Sequence, residues 1–180
     1  MEWLYITLVV VVGALALLVL VVFIGGRFLP ERYETCLVVE LDRKPQEVWD
    51  ALQDIEKNAV TGKMRKRLEL LPGSDGRPSW LEDIGSTKIL VTTEEAEPPV
   101  KLRRHLADQV VPMTADFEVA LEETLTGCRV TASNVTIIRA GTWHVPVFRV
   151  IMKLTGGGRS QLKSFWIELA KNLGTTVRMP

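Results

Sequence analysis

The sequence predicts an α+β domain, an antiparallel sheet covered by a carboxy-terminal helix, behind one membrane-spanning helix. Three observations predict it. The chain opens with a long uncharged apolar run, its middle alternates apolar and polar residues between turn signals, and its end switches to helical spacing.

Leu4 to Ile24 reads LYITLVVVVGALALLVLVVFI and carries no charge. At ~1.5 Å per residue it spans ~30 Å, the thickness of a bilayer core. Trp3 and Tyr5 at one end, and Phe23 and Phe28 at the other, stand where interfacial aromatic belts form. A cleaved signal peptide would start with basic residues, have a shorter apolar core and end in small residues. This chain starts with Glu2, and Gly25-Gly26-Arg27 is a poor cleavage site, so an anchor is expected. Arg27 and Arg32 follow the run and no basic residue precedes it, which puts the carboxy-terminal domain in the cytoplasm of a single-pass protein. Residues 1–26 are assigned to the anchor, 27–32 to a juxtamembrane linker with Pro30, and 33–176 to the domain.

Tyr33 to Leu41, rich in β-branched residues, is expected as a strand. Pro45 suits the first turn of a helix, and Val48, Leu52 and Ile55 give that helix one apolar face, ending before Gly62. Met64–Leu71 is the next expected strand, followed by a turn at Pro72–Gly76. Ser79–Ile84, Thr87–Glu95 and Val100–Ala107 continue the sheet. Met113, Ala115, Phe117, Val119 and Leu121 then alternate with polar residues, the mark of a sheet with one wet face and hence of antiparallel pairing. Cys128–Arg139 is the last strand. Val147, Ile151 and Leu154 recur at i, i+4 and i+7 as one helical apolar face. Gly156-Gly157-Gly158 forms a joint, Ser160 is the expected cap, and Leu162, Phe165, Trp166, Leu169 and Leu173 form the stripe of the terminal helix.

Basic and acidic residues balance at 22 each, so the basic surplus of a nucleic-acid binder is lacking. Cys36 and Cys128 lie in expected strands without zinc-ligand neighbours and are read as buried, reduced thiols. Neither a nucleophile elbow nor a phosphate-loop signature occurs. No metal and no cofactor are expected, and no catalytic residue is assigned.

Three stretches carry a family resemblance: VELDRKPQEVWDALQDIE, PPVKLRRHL and VPVFRVIMKLTGGGRSQLKSFWIELAKNLG. Together they resemble the START-like helix-grip (SRPBCC) superfamily, polyketide cyclase/dehydrase type, over residues 33–174. Two departures stand out: Lys44 where members often carry a capping side chain, and no tryptophan between Asn58 and Met64. The resemblance implies a curved antiparallel sheet of about six to seven strands gripping a long terminal helix around a hydrophobic cavity. It also implies binding of sterols, lipids, polyketides or other apolar molecules, with catalysis in a minority of members.

Within that frame, Arg104 stands between Leu102 and Leu106 and either faces the cavity, where it could hold an anionic ligand head, or is exposed by a one-residue shift, with Arg103 and His105 on the opposite face. Asn134 and Thr136 share one parity and are candidates for ligand hydrogen bonds. Trp80, Phe117, Trp143, Phe148, Phe165 and Trp166 are candidate apolar lining, against a default of core packing. His144, at the expected cavity mouth, is a candidate acid or base without a visible partner. The expected function is membrane-anchored binding or transfer of a lipid or other hydrophobic small molecule. The alternatives are a cyclase/dehydratase-type enzyme, which ranks behind, and a membrane-tethered protein-interaction module.

Overall fold

The computed structural model describes residues 2–73 and 76–179. Ser74 and Asp75, the centre of the turn expected at Pro72–Gly76, lie outside the described residues.

Helix α1 covers Glu2–Arg27. Its most apolar stretch has a mean hydropathy of 3.2, and none of that stretch is buried by the rest of the chain. A helix apolar all round is stable only inside a protein core or a bilayer. The carboxy-terminal end is the exception, since Gly26 is buried. A Cβ there would come within 2.1 Å of the Pro146 carbonyl oxygen, so only glycine lets α1 approach so closely.

The sheet has eight antiparallel strands: β1 Arg32–Leu41, β2 Arg67–Leu71, β3 Ser79–Asp83, β4 Lys88–Glu97, β5 Lys101–Asp108, β6 Met113–Thr124, β7 Gly127–Ile138 and β8 Val177–Arg178. Their order is β2-β3-β4-β5-β6-β7-β1-β8, so a meander of six strands returns to the first. The β6 alternation holds, with Phe117, Val119 and Leu121 buried. Between the expected first helix and strand, residues Gly62–Met64 form a single 3₁₀ turn, and β2 starts only at Arg67.

Helix α2 covers Pro45–Gln53 and buries Val48, Trp49 and Leu52. Lys44 offers no capping oxygen. Instead the Glu47 carboxylate accepts the Lys44 N–H at 2.9 Å, which recovers one of the donors a helix start leaves open. Helix α3 covers Val145–Leu154 and α4 covers Arg159–Asn172. The joint between them uses three left-handed glycines, Gly156, Gly157 and Gly158, with φ of 73°, 69° and 95°. Gly158 is the N-cap of α4, so Ser160 lies inside the helix and is not its cap. Arg43 donates to the carbonyls of Leu173 and Gly174, closing the other end, where cations are favoured.

Helix α4 buries Leu162, Trp166, Leu169 and Ala170 against Val39, Leu102, Val119 and Val130 of the sheet and Val48 and Leu52 of α2. Each fully buried large apolar side chain contributes roughly 1.5–3 kcal/mol. Cys128 belongs to this core, but Cys36 is exposed on the outer face of β1, correcting the expectation of two buried thiols. The two are unbonded.

Candidate ligand site

The sheet's inner face carries one polar row. Thr93 of β4 stands opposite Arg104 of β5, Arg104 opposite Phe117 of β6, Phe117 opposite Asn134 of β7, and Asn134 opposite Thr35 of β1. The pairing of β4 with β5 shifts register just after Thr93, and such bulges re-aim neighbouring side chains. Rows of apolar residues flank it, including Leu102, Val119, Ala132 and Leu37.

Arg104 faces inward and is completely buried, while His105 turns to the outer face and meets Asp116 at 2.7 Å. The Arg104 guanidinium lies 4.9 Å from the centre of the Trp80 ring and donates 2.8 Å to the Leu52 carbonyl. Burial pulls its pKa down to about 10, and the negative Glu82 partly offsets this. Among the described residues its Nε has no partner, nor does the buried Oγ1 of Thr93 opposite it, nor the buried Nε1 of Trp166 on α4. Unpaired buried donors are expensive, so polar atoms left open on one inner face are places for a bound polar group.

Glu82 completes the cluster, and the sequence reading missed it. It is fully buried and accepts hydrogen bonds from the N–H groups of Val60 and Thr61, at 3.1 and 2.9 Å, and from Trp80 Nε1 at 2.8 Å. The Thr61 hydroxyl also donates to it. Four donors thus satisfy the buried carboxylate. Trp80 lies two residues before it on the same strand, so strand parity alone puts both on one face.

Among the other candidates, Phe117 and Phe165 meet edge to face at 5.6 Å, and Phe165 meets Trp166 at 5.4 Å. Asn134 Nδ2 donates to Thr136 Oγ1 at 3.0 Å, and the Gly158 backbone closes over Asn134. The Thr35 hydroxyl donates to the Gly157 carbonyl at 2.9 Å. Phe117, Phe165 and Trp166 therefore pack together between the sheet and α4, Asn134 and Thr136 lie under the glycine joint, and Trp80 and Arg104 pair beside α2.

Trp143, His144 and Phe148 do not. They form a separate aromatic group at the start of α3, with His144 edge-on to both Trp143 and Phe148. Trp143 is 76% exposed, which corrects its expected place in an interior pocket. His144 Nε2 meets only the Thr142 hydroxyl among the described residues, at 3.1 Å, and no carboxylate orients it as a base. The reason is the rotation of α3. Its buried side carries Val145, Pro146 and Arg149, so the Val147, Ile151 and Leu154 stripe points away from the core.

No protein-family model and no curated protein matches the chain. Solved structures do. The Zhui aromatase/cyclase from Streptomyces sp. R1128 superposes with a TM-score of 0.58 at 12% identity, covering 78% of this chain and 92% of that one. Protein MLL2253 from Mesorhizobium loti gives 0.54 at 15% identity, covering 78% and 96%. The di-domain ARO/CYC BexL from the BE-7585A biosynthetic pathway gives 0.51 at 14% identity, and this chain spans 48% of its length. At such identities the likeness establishes architecture. An eight-stranded antiparallel sheet wrapped around a carboxy-terminal helix, shared with aromatase/cyclase structures, gives the described part of residues 32–178 the helix-grip fold.

Proposed function

We propose that this protein is a membrane-anchored binding or transfer module for a hydrophobic small molecule with a polar, preferentially anionic, end. The observation that carries the reading is the fully buried Arg104 with an Nε unpartnered among the described residues, facing an equally unpartnered Thr93 hydroxyl in a polar row flanked by apolar residues. A guanidinium in a low-dielectric site binds a carboxylate or phosphate oxygen far better than one in water. The ligand's apolar part would lie along Phe117, Phe165 and Trp166, with Asn134 and Thr136 as secondary hydrogen-bonding groups.

The anchor fits this role. Helix α1 would span the bilayer with the domain on the cytoplasmic side, raising the effective concentration of membrane-dissolved ligands at the site. The aromatase/cyclase neighbours favour a second reading, turnover of an apolar substrate in the same space. That reading needs an acid or base beside the ligand, and the two histidines, His105 and His144, lie outside the inner face.

The test is transfer of a conjugated polyene fatty acid to the full chain in phosphatidylcholine nanodiscs, followed by its fluorescence. Saturable uptake at one probe per chain is expected above the partition into empty nanodiscs. Identical uptake with and without the protein rejects ligand binding.

A further inference from the structure

Helix α3 carries apolar side chains on two sides, burying Val145 and Pro146 and leaving others exposed. It buries Arg149 and exposes Phe148, Ile151 and Leu154, which are 36%, 48% and 80% accessible. Trp143 continues the same exposed strip one turn earlier. Large apolar side chains gathered on one surface, beside a buried arginine, mark an interaction face.

Three observations say what covers it. The first is position. The last turn of α1 packs on α3 through Gly26 and Pro146, so the exposed strip begins at the level where the apolar helix ends. The second is a fixed joint. Arg149 donates to the Glu31 carboxylate at 2.7 Å, to the Ile138 carbonyl at 2.9 Å and to the Leu29 carbonyl at 3.5 Å. The Ile138 N–H also donates to the Glu31 carbonyl at 2.8 Å. The connector is thus tied to both α3 and the sheet, and α3 keeps a set angle to α1. The third is charge. From Leu125 to Ile167 the sequence has no Asp or Glu, while Arg139, Lys153, Arg159 and Lys163 are basic and exposed. A basic segment around an apolar strip, with an interfacial tryptophan, matches the headgroup layer of an anionic membrane.

We infer that α3 is an interfacial helix, seated in the headgroup region of the same bilayer that α1 spans, with Trp143, Phe148, Ile151 and Leu154 directed at the acyl chains. This rests on the anchoring reading above. It also turns the glycine joint at Gly156–Gly158, which closes over Thr35 and Asn134, toward the membrane as the portal to the site.

The experiment is a spin-label depth profile on the full chain in vesicles of phosphatidylcholine and phosphatidylglycerol. Cys36→Ser removes the exposed thiol, and single cysteines are introduced by Phe148→Cys, Ile151→Cys and Leu154→Cys. Val12→Cys reports α1. Leu125→Cys reports the β6–β7 hairpin, which lies at the opposite end of β7, roughly 35 Å from Ile138 by strand rise. The α3 labels are expected to be accessible to oxygen and protected from an aqueous nickel chelate, at shallower depth than position 12, while position 125 stays wet. A buried position 12 with α3 labels as wet as position 125 overturns the interfacial helix and leaves the anchor standing. A wet position 12 overturns the anchor and the inference together. Protection of the α3 labels from both reagents means a protein covers the strip, which also overturns the inference.

Discussion

Replacing Arg104 by methionine separates a ligand-binding arginine from a structural one. Methionine keeps the apolar stem and removes the charge. Holding the guanidinium inside with its pKa pulled down to about 10 costs the fold roughly 3 kcal/mol at neutral pH. Against this stand two favourable contacts. The hydrogen bond to the Leu52 carbonyl contributes ~1.5–3 kcal/mol and the Trp80 face ~2 kcal/mol. The terms nearly cancel, so Arg104→Met is expected to shift unfolding free energy by no more than ~2 kcal/mol in either direction. Denaturant titration of the full chain in detergent, followed by tryptophan fluorescence, measures that. Binding is expected to respond very differently. Affinity for a fluorescent fatty acid should fall at least ~10-fold, the loss of one charge-assisted hydrogen bond, while affinity for the matching fatty alcohol is retained. Destabilisation beyond ~4 kcal/mol with unchanged fatty-acid affinity would refute the reasoning and make Arg104 a cross-brace between β5 and α2.

The same site gives a contrasting substitution. Glu82→Gln turns an amide NH₂ toward N–H donors that now meet a carboxylate, and is expected to destabilise by ~3–5 kcal/mol in the same titration. Gly157→Ala puts a Cβ at φ +69° without a clash, because Thr35 and Tyr33 lie 3.5 Å away, so only the left-handed strain remains. That costs ~1–2 kcal/mol and shows as a lowered melting temperature. Burial pushes the Cys128 thiol up to about 11 from 9.0, so the folded state keeps this proton after the unfolded chain has released it. Stability present below pH 9 is therefore lost as pH rises toward 11, by at most roughly 2–3 kcal/mol, and Cys128→Ala should flatten that limb of the curve. Cys36 should react with a thiol reagent in the native state and Cys128 only on unfolding.

Strand parity made much of the sheet legible. Met113 to Leu121 alternates because one face is buried, and the same counting puts Arg104 inside with Leu102 and Leu106. It would have added Glu82, two residues from Trp80, had each strand been followed for its polar members as well as its apolar ones. The α4 stripe was legible for the same reason, as Leu162, Trp166 and Leu169 meet the core. Strand β8 was not, because Val177 and Arg178 owe their extended state to pairing with Leu41 and Glu40 and not to any pattern of their own. Periodicity also misled at α3. It reports which side chains are apolar and not which side of the helix is covered, and in α3 Val145, Pro146 and Arg149 take the buried side while Ile151 and Leu154 stay exposed.

Two arginines, Arg104 and Arg149, are buried in the domain. Arg149 gives its terminal nitrogens to Glu31 and to the Leu29 and Ile138 carbonyls, so removing it should loosen α1 from α3. Among the described residues both arginines leave Nε without a partner, and Arg104 does so opposite a second open group, the Thr93 hydroxyl. A protein needing only stability would place an apolar side chain at position 104, since a methionine fits the same slot without a charge to desolvate. An open Arg104 donor, in a domain whose last two helices are jointed by three left-handed glycines, is the group the proposed anionic ligand would use. The same logic orders the experiments. If α3 lies in the headgroups and Arg104→Met abolishes fatty-acid selectivity, the portal and the site belong to one path. If either fails alone, the helix and the arginine serve separate purposes.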